Sequence, residues 1–361
     1  METQTPLSPA CESFGILPDE TEARCYTLRN SHGTKAVICN FGATLISLEI
    51  ADREGKLADV VLGYDSAEPY ALDTNPSHGA TVGRFGNRIA HGKFELDGIP
   101  YQLATNNDPG GIPCHLHGGN IGFNRRMWTV IEHDSTSITF EYLSPAGEEN
   151  YPGTLTTRVT YLLTEDNELQ WNVSATTDAA TPINIVNHTY WNLSGDPSSL
   201  IHDHLLTLAA DEYLPATVGL IPTGERHPVS GTPMDFTRHT RVGDRIKDDF
   251  EALKNANGYD ACWIIRDARP DGMAFAGRVE DPATGRIMEV FTNQPGVHFY
   301  SGNFLDDTVP GKGGACYQPG SGLCLETENF PDAPNHPDFP DCILRPGKTY
   351  EHRLTFRFSV K

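Results

Sequence analysis

The chain contains 361 residues, of which 38% are hydrophobic and 21% are charged, and it carries a formal net charge of −21. This composition is that of a globular protein, and the acidic balance, without any Lys/Arg cluster, argues against nucleic acid and anionic membranes as partners. No apolar run approaches the roughly 20 residues that a membrane-spanning helix requires.

The N-terminal segment shows no targeting signal. Residues 1–15 lack the basic region and the apolar core of a signal peptide, so we predict a cytoplasmic protein. We expect residues 1–361 to form a single domain, with residues 1–20 as a loosely ordered extension. The eight cysteines are scattered without a CxxC pair, which predicts reduced thiols.

Alternating apolar and polar residues dominate the rest of the chain. Residues 94–103 have the pattern of a hairpin on an Asp-Gly turn, and residues 138–142, 169–175 and 354–360 have that of strands with one buried face. Helical spacing predicts one short helix over residues 243–253. Because Gly (34) and Pro (26) are frequent, long helices are disfavoured. The sequence therefore predicts an all-β fold, a large antiparallel β-sandwich with a few short helices.

Two distant segments carry side chains suited to acid–base chemistry on a polyol. In residues 187–195, His188 stands among amides, hydroxyls and aromatic rings. Rings can cover the apolar face of a sugar, and an imidazole can transfer a proton; a buried histidine bonded to backbone is the alternative interpretation. In residues 322–332, Glu326 is embedded in an apolar strand, where a carboxylate is costly to bury unless it is paired or functional.

A metal site is the competing interpretation. His115 and His117 have a spacing that can place two imidazoles on one face of a strand, and His202 and His204 repeat it. A cupin-like metal site would show a carboxylate a few residues later, whereas residues 118–122 contain none. We therefore predict no metal, and a solvated edge for the second histidine pair.

Six segments together resemble the aldose 1-epimerase (galactose mutarotase) family, over nearly the whole chain from about residue 25. The segments are GRFGNRI at 83–89, LHGG at 116–119, NHTYWNL at 187–193, NGYD at 257–260, QPGVHFYSGN at 294–303 and LET at 325–327. Each is weak alone, and all six in this order are specific. The resemblance implies a galactose mutarotase-like supersandwich that needs no cofactor and interconverts the α and β anomers of free aldohexoses such as galactose and glucose.

The resemblance also implies roles at the reacting end of the sugar. Ring opening requires a proton on the ring oxygen and removal of the proton from the anomeric hydroxyl, so a matched acid and base are the minimum equipment. By the family pattern, Glu326 is the base at the anomeric hydroxyl and His188 is the acid at the ring oxygen. His117 orients the reacting oxygens.

The same pattern implies that Asn87, Arg88 and Asp260 bind the remaining hydroxyls of a monosaccharide, since an Arg fork and a carboxylate can each bond two oxygens. Arg88 could instead be structural and tie down Glu326 or Asp260. His298, also expected at the substrate, stands where the family often has a sugar-contacting glutamine. We expect a monomer or a weak homodimer.

Three departures from the family pattern bear on specificity rather than on the reaction class. Residues 108–111 add a turn that could reshape one rim of the groove. Ala261 replaces a histidine that is common in the family. His298 has fewer bonding options than a glutamine amide, which could change the sugar preference.

Other functions stay open from the sequence. A non-catalytic carbohydrate-binding or sensing domain would have the same fold without accelerating anomer exchange. An epimerase of phosphorylated hexoses would need extra cations beside the sugar, for which an acidic chain offers few candidates. A metal-dependent oxygenase or isomerase would be revealed by elemental analysis.

Overall fold

The computed structural model describes residues 10–269 and 272–361, and within them the chain is almost entirely β-structure. In chain order the strands are β1 (Ala10–Ile16), β2 (Glu22–Arg29), β3 (Lys35–Cys39), β4 (Thr44–Ala51), β5 (Leu57–Asp59), β6 (Ala80–Val82), β7 (Arg88–Ala90), β8 (Lys93–Leu96), β9 (Ile99–Gln102), β10 (Cys114–Leu116), β11 (Thr129–His133), β12 (Ser137–Ser144), β13 (Leu155–Leu163), β14 (Glu168–Thr177), β15 (Thr181–Pro182), β16 (Val186–His188), β17 (Leu205–Leu208), β18 (Glu212–Leu214), β19 (His227–Pro228), β20 (Thr240–Arg241), β21 (Asp260–Ile264), β22 (Ala274–Glu280), β23 (Arg286–Thr292), β24 (Gly296–Tyr300), β25 (Cys324–Glu328), β26 (Ile343–Leu344) and β27 (Tyr350–Val360).

Helical structure in the described chain is limited to one α-helix, α1 (Glu251–Ala256), and short 3-10 turns. The turns are Glu68–Ala71, Pro109–Gly111, Phe123–Arg125, Glu148–Asn150, Ile201–Asp203, Val242–Asp244, Lys312–Gly314 and Ala333–Asn335. The helix predicted over residues 243–253 is therefore wrong in its bounds. Extended backbone at Phe250 delays the helix, and Asn257, with a left-handed φ of 56°, ends it. No helix in the described ranges is long and apolar enough to cross a membrane.

Three antiparallel sheets organise the strands. A five-stranded sheet has the order β1-β2-β3-β4-β5, and a nine-stranded sheet has the order β11-β12-β13-β14-β27-β23-β22-β17-β20. A second five-stranded sheet has the order β19-β18-β21-β24-β25. Four further pairs of short strands lie outside these three sheets: β7 with β10, β6 with β16, β8 with β9 and β15 with β26.

The core lies between these sheets. Along β13 and β14 alternate side chains are buried, so that Val159 and Trp171 face inward. One hydrophobic cluster includes these residues together with Leu48 of β4 and Phe299 of β24. Because all three sheets share this core, they pack face to face, and the predicted antiparallel sandwich is confirmed.

The strands expected from alternation are confirmed. The hairpin at residues 94–103 is formed by β8 and β9, and the three longer patterns correspond to β12, β14 and β27. All eight cysteines lie within the described ranges as free thiols, and six of them are buried. The six buried cysteines therefore pack as small apolar residues.

The N-terminal segment is more ordered than expected. β1 is an edge strand in which Ala10 pairs with Thr27 and Ile16 pairs with Glu22. The expectation of a loose extension over residues 1–20 is therefore wrong for residues 10–16, because main-chain hydrogen bonds to β2 hold a strand whose side chains are mostly exposed. Residues 1–9 lie outside the described residues.

Candidate active site

Three neighbouring strands present polar side chains on one face. In the sheet that contains β21, β24 and β25, Cys262 lies opposite His298, and His298 lies opposite Glu326. Because residues two apart in a strand share a face, Asp260 joins them. Ala261 points the other way and is part of the main core. Strand register thus places three predicted site residues side by side, and the departure at Ala261 affects the core rather than the groove.

Strand β16 brings His188 to the same place. His188 Nε2 lies 3.6 Å from Glu326 Oε1, and both side chains are buried. His188 Nδ1 lies 3.7 Å from Cys324 Sγ. Glu326 Oε2 is buried and has no hydrogen-bond partner among the described residues. An unpartnered buried carboxylate oxygen is costly, and it is available to accept a hydrogen bond or a proton from a ligand.

Asn87 and His117 hold each other in place. The Asn87 N–H donates to His117 Nδ1 at 3.1 Å, and the His117 N–H donates to the Asn87 carbonyl oxygen at 3.2 Å. Both residues have left-handed backbone, with φ of 63° and 52°. Burial lowers the pKa of His117 well below its ordinary value, so its ring is neutral. Since Nδ1 accepts a hydrogen bond, the ring proton is on Nε2.

All seven predicted site residues line one cavity of about 440 Å³. This volume lies in the range of small-molecule sites. The guanidinium of Arg88, at the cavity wall, donates from Nε to Asn107 Oδ1 at 3.3 Å. Among the described residues, no hydrogen bond joins this guanidinium to Glu326 or Asp260, although its positive charge acts to lower the pKa of both.

Aromatic side chains and an added turn complete the cavity wall. Tyr190, Tyr300 and Phe304 line it, and the first two rings meet edge to face at 5.9 Å between centroids. Asp108 and Pro109 also line it. Two residues of the turn at 108–111 therefore form part of the cavity wall.

Burial acts in opposite directions on the two facing ionisable groups. It raises the pKa of Glu326 to about 8, against the opposing positive charge of His298. It lowers the pKa of His188 to about 4. Between these values the two residues together hold one proton, which burial places on Glu326.

His298 lies between two carboxylates. Its Nε2 is 2.5 Å from Asp260 Oδ1, and its Nδ1 is 3.3 Å from Glu328 Oε1. Burial lowers the pKa of His298, but hydrogen bonds to Asp260, Cys262 and Glu328 outweigh burial and raise that pKa well above its ordinary value. Burial raises the pKa of Asp260, and the hydrogen bond and charge of His298 bring it below its ordinary value. The geometry therefore fits an imidazolium whose Nε2–H donates to Asp260, and whose Nδ1 lies between Glu328 Oε1 and Asn87 Nδ2, the latter 3.2 Å away.

The two histidines considered as a metal pair do not converge. His115 Nδ1 lies 2.8 Å from the Ala104 carbonyl oxygen, and its Nε2 lies 2.7 Å from the Tyr151 hydroxyl. His117 follows the end of β10 in left-handed backbone. Because the two residues do not share a regular strand, their rings do not lie together on one strand face, and they contact different neighbours.

The second histidine pair departs from its prediction. His204 is buried, and its Nε2 accepts a hydrogen bond from the Leu193 N–H at 2.9 Å. The expected solvated edge is therefore wrong for His204, which supports the loop after His188. Short-range spacing could not show this contact, because it depends on how that loop folds back.

Two side chains near the site, Cys324 and Glu328, were not predicted from the sequence. Each lies two residues from Glu326 on β25, and the period of the strand puts all three on one face. That period was the signal that could have found them. Cys324 approaches His188, and the ligand atoms of His188, Cys324 and Glu326 lie within 4.8 Å of one another. Glu328 approaches His298 instead.

Known proteins are similar to this chain in sequence and in fold. The sequence model described as aldose 1-epimerase matches residues 24–357. The galactose mutarotase of Homo sapiens is 46% identical over 325 residues, covering 90% of each chain. The aldose 1-epimerase of Escherichia coli K12 is 36% identical over 352 residues, covering 97% of this chain and 99% of the relative.

Solved structures agree. An aldose epimerase homologue from C. elegans superposes with a TM-score of 0.85 at 31% identity, covering 94% of this chain and 99% of the other. The galactose 1-epimerase of Lactobacillus acidophilus superposes with a TM-score of 0.83 at 28% identity, covering 98% and 99%. Since the match extends over almost the full length in sequence and in structure, the protein belongs to the aldose 1-epimerase family.

Proposed function

We propose that this protein interconverts the α and β anomers of free aldohexoses, galactose and glucose among them, with Glu326 as base and His188 as acid. The observation that carries the proposal is the buried, unpartnered oxygen of Glu326, which lies beside His188 in a cavity large enough for a small sugar. Family membership supports the reaction class. A cytoplasmic location and a monomeric or weakly dimeric state remain predictions.

The reaction follows from where the two groups lie. Glu326 removes the proton from the anomeric hydroxyl while His188 delivers a proton to the ring oxygen, and the bond between the anomeric carbon and the ring oxygen breaks. The aldehyde then rotates by half a turn, and the reverse transfers close the ring on its other face. An acid and a base so placed contribute about 10²–10⁴-fold each.

The proton count of the pair is conserved through these steps. The reactive form has the proton on His188 and a charge on Glu326, and it holds as many protons as the neutral form that burial favours. Ring opening moves one proton onto Glu326 and one off His188. The pair therefore ends in its neutral form, so that burial favours the open-chain step.

The remaining residues suit an uncharged sugar. The Nε2–H of His117 can donate to a reacting oxygen, and Asn87, Arg88 and Asp260 offer donors and acceptors for the other hydroxyls. Arg88 is the only Lys or Arg among the described residues that line the cavity. A phosphorylated hexose would bring a negative charge to a wall that contains several carboxylates, which disfavours it.

The test follows optical rotation after α-D-galactose is dissolved in the presence of EDTA. We expect Glu326→Gln and His188→Asn each to lower the catalysed rate by about 10²–10⁴-fold, because each removes one proton-transfer group. Glu225 and His227 form an exposed pair 2.9 Å apart, and Glu225→Gln and His227→Asn are matched controls that should keep the wild-type rate. Wild-type rates in the site variants would contradict the assigned roles.

A non-catalytic carbohydrate-binding domain is the alternative on the same fold. It would bind galactose without accelerating anomer exchange. Calorimetric binding to wild-type protein, combined with a rate of rotation equal to that of buffer alone, would select this alternative.

A further inference from the structure

Glu328 is a buried carboxylate beneath the cavity that the proposed reaction does not use. Its side chain is fully buried. Unlike Glu326, it is not among the described residues that line the cavity. Three nitrogen donors surround it: His298 Nδ1 and Asn87 Nδ2 each lie 3.3 Å from Oε1, and Asn184 Nδ2 lies 3.4 Å from Oε2. Two of these donors belong to predicted substrate-binding residues.

His298 has no free donor for a sugar hydroxyl in this arrangement. One ring nitrogen faces Asp260, and the other lies 3.3 Å from Glu328 Oε1 and 3.2 Å from Asn87 Nδ2. A protonated imidazole has only these two N–H groups and no acceptor. His298 therefore cannot reproduce the direct sugar contact expected from the sequence, and its effect on the substrate passes through the carboxylates that it joins.

We infer that Glu328 is a positioning residue for the sugar: it holds Asn87 directly and Asp260 through His298, so that both present their remaining polar atoms to the substrate. This inference rests on the proposed function. It assigns Glu328 and His298 to substrate affinity, whereas Glu326 and His188 carry the proton transfers.

The two charges depend on each other. Without His298, Glu328 would be an uncompensated buried carboxylate, and without Glu328, the imidazolium would lose one of its two anionic partners. Removing one member of a buried ion pair costs far more than replacing both with neutral groups of similar shape. Two glutamines could form such a neutral pair, since an amide at position 298 can donate to Asp260 and accept from a neighbouring amide.

Several other ionisable groups face His298 and contribute to its titration. Besides Asp260 and Glu328, they are Cys262 of β21, Glu326 of β25, His188 of β16, and Arg88 and His117 at the cavity wall. The guanidinium of Arg88 disfavours the protonated ring, and the carboxylates favour it. A change in the titration of His298 after substitution of Glu328 alone therefore reports their direct contact.

The experiment is a double-variant cycle in the full-length protein. We expect Glu328→Gln and His298→Gln each to raise KM for galactose about tenfold or more, with a smaller effect on kcat. Each substitution removes a charge-assisted contact that orients the sugar-binding side chains of Asn87 and Asp260. The double variant should have a KM closer to wild type than either single variant. The control is Glu280→Gln, which alters a buried carboxylate on β22 that pairs with Arg278 at 2.8 Å, and it should leave KM unchanged.

A second readout is the NMR titration of the His298 ring nitrogens. In wild type we expect both nitrogens to stay protonated at pH 8, and in Glu328→Gln we expect the pKa of His298 to fall by about one unit or more. A neutral His298 in wild type at pH 7, or single-variant effects that simply multiply in the double variant, would overturn the inference. Such a result would leave the wild-type rate and the loss in Glu326→Gln intact, so failure of this inference is distinguishable from failure of the proposed function.

Discussion

Burial and charge, rather than residue type, set the behaviour of the ionisable groups in the cavity. Glu326, Glu328 and Asp260 are all buried carboxyl groups on one sheet face, yet the pKa of the first two is raised and that of Asp260 is lowered. The difference follows from distance to His298, which lies 2.5 Å from Asp260. The carboxylate nearest to the cation stays charged and can accept hydrogen bonds from sugar hydroxyls, while Glu326 can accept and release a proton near neutral pH.

The proposed acid–base pair of His188 and Glu326 predicts a specific pH profile for the reaction. We expect kcat/KM to be bell-shaped, with limbs near pH 4 and pH 8, because burial moves the pKa of His188 to about 4 and that of Glu326 to about 8. The active pair holds one proton. Below the lower value both groups are protonated and no base remains, and above the higher value neither can donate.

Initial rates of change in optical rotation, corrected for the uncatalysed rate at each pH, would check this profile. An upper limb near the ordinary imidazole pKa of about 6.5, rather than near pH 8, would contradict it. The control is α-D-glucose as second substrate, which should give the same limbs because kcat/KM reports the free enzyme.

At the scale of elements, the period of the strands and their register assemble the site. Asp260, His298 and Glu326 come from three adjacent strands, and the single residue His188 comes from the short strand β16. The loop that follows His188 is tied to the sheets by Arg286 of β23. Its guanidinium donates to the carbonyl oxygens of Leu193 at 3.1 Å and Ile50 at 3.0 Å. One buried side chain thus links the nine-stranded sheet, the first five-stranded sheet and the segment that follows the proposed acid.

Replacing this link should destabilise the fold. We expect Arg286→Met to lower the free energy of unfolding by about 3–5 kcal/mol, because it leaves several buried carbonyl groups without their charged donor. Arg158→Met is the matched control on the same sheet. Its exposed guanidinium pairs with Glu141 at 2.8 Å, and its loss should cost less than about 1 kcal/mol. Urea unfolding measures both, and equal effects would contradict the prediction.

At the scale of the whole molecule, the net charge of −21 favours an uncharged substrate. An anionic sugar would be repelled by the summed field of the protein, and this repulsion weakens as salt shortens the Debye length. A neutral hexose feels no such force. The overall charge therefore points to an uncharged substrate, and so does the presence of one Lys or Arg, Arg88, among the described residues that line the cavity.

An acidic protein that acts on a neutral sugar should respond to salt in a specific way. We expect kcat/KM for galactose to stay constant as NaCl rises from about 0.02 to about 0.3 M, a range over which the Debye length falls severalfold. Galactose 6-phosphate is the comparison: any activity on it should rise over the same range, because repulsion is screened. A marked salt dependence with galactose itself would contradict the prediction.

The sequence alone determined the parts of this protein that depend on local pattern. Period-two alternation identified the main strands and the hairpin, and ordered motifs identified the family. The family pattern also named seven side chains that line one cavity. The strands and the family were confirmed because alternation and short motifs can be read directly along the chain, whereas the roles of the seven side chains stay predictions.

Features that depend on contacts between distant segments became visible only in the folded protein. The tertiary structure paired the exposed strand at residues 10–16, moved the helix to Glu251–Ala256 and buried His204. It also turned the nitrogens of His298 toward Asp260 and Glu328, which no spacing in the chain encodes. Protonation, and with it the chemistry of the cavity, follows from burial and from charges on neighbouring strands, and both exist only once the sheets have packed.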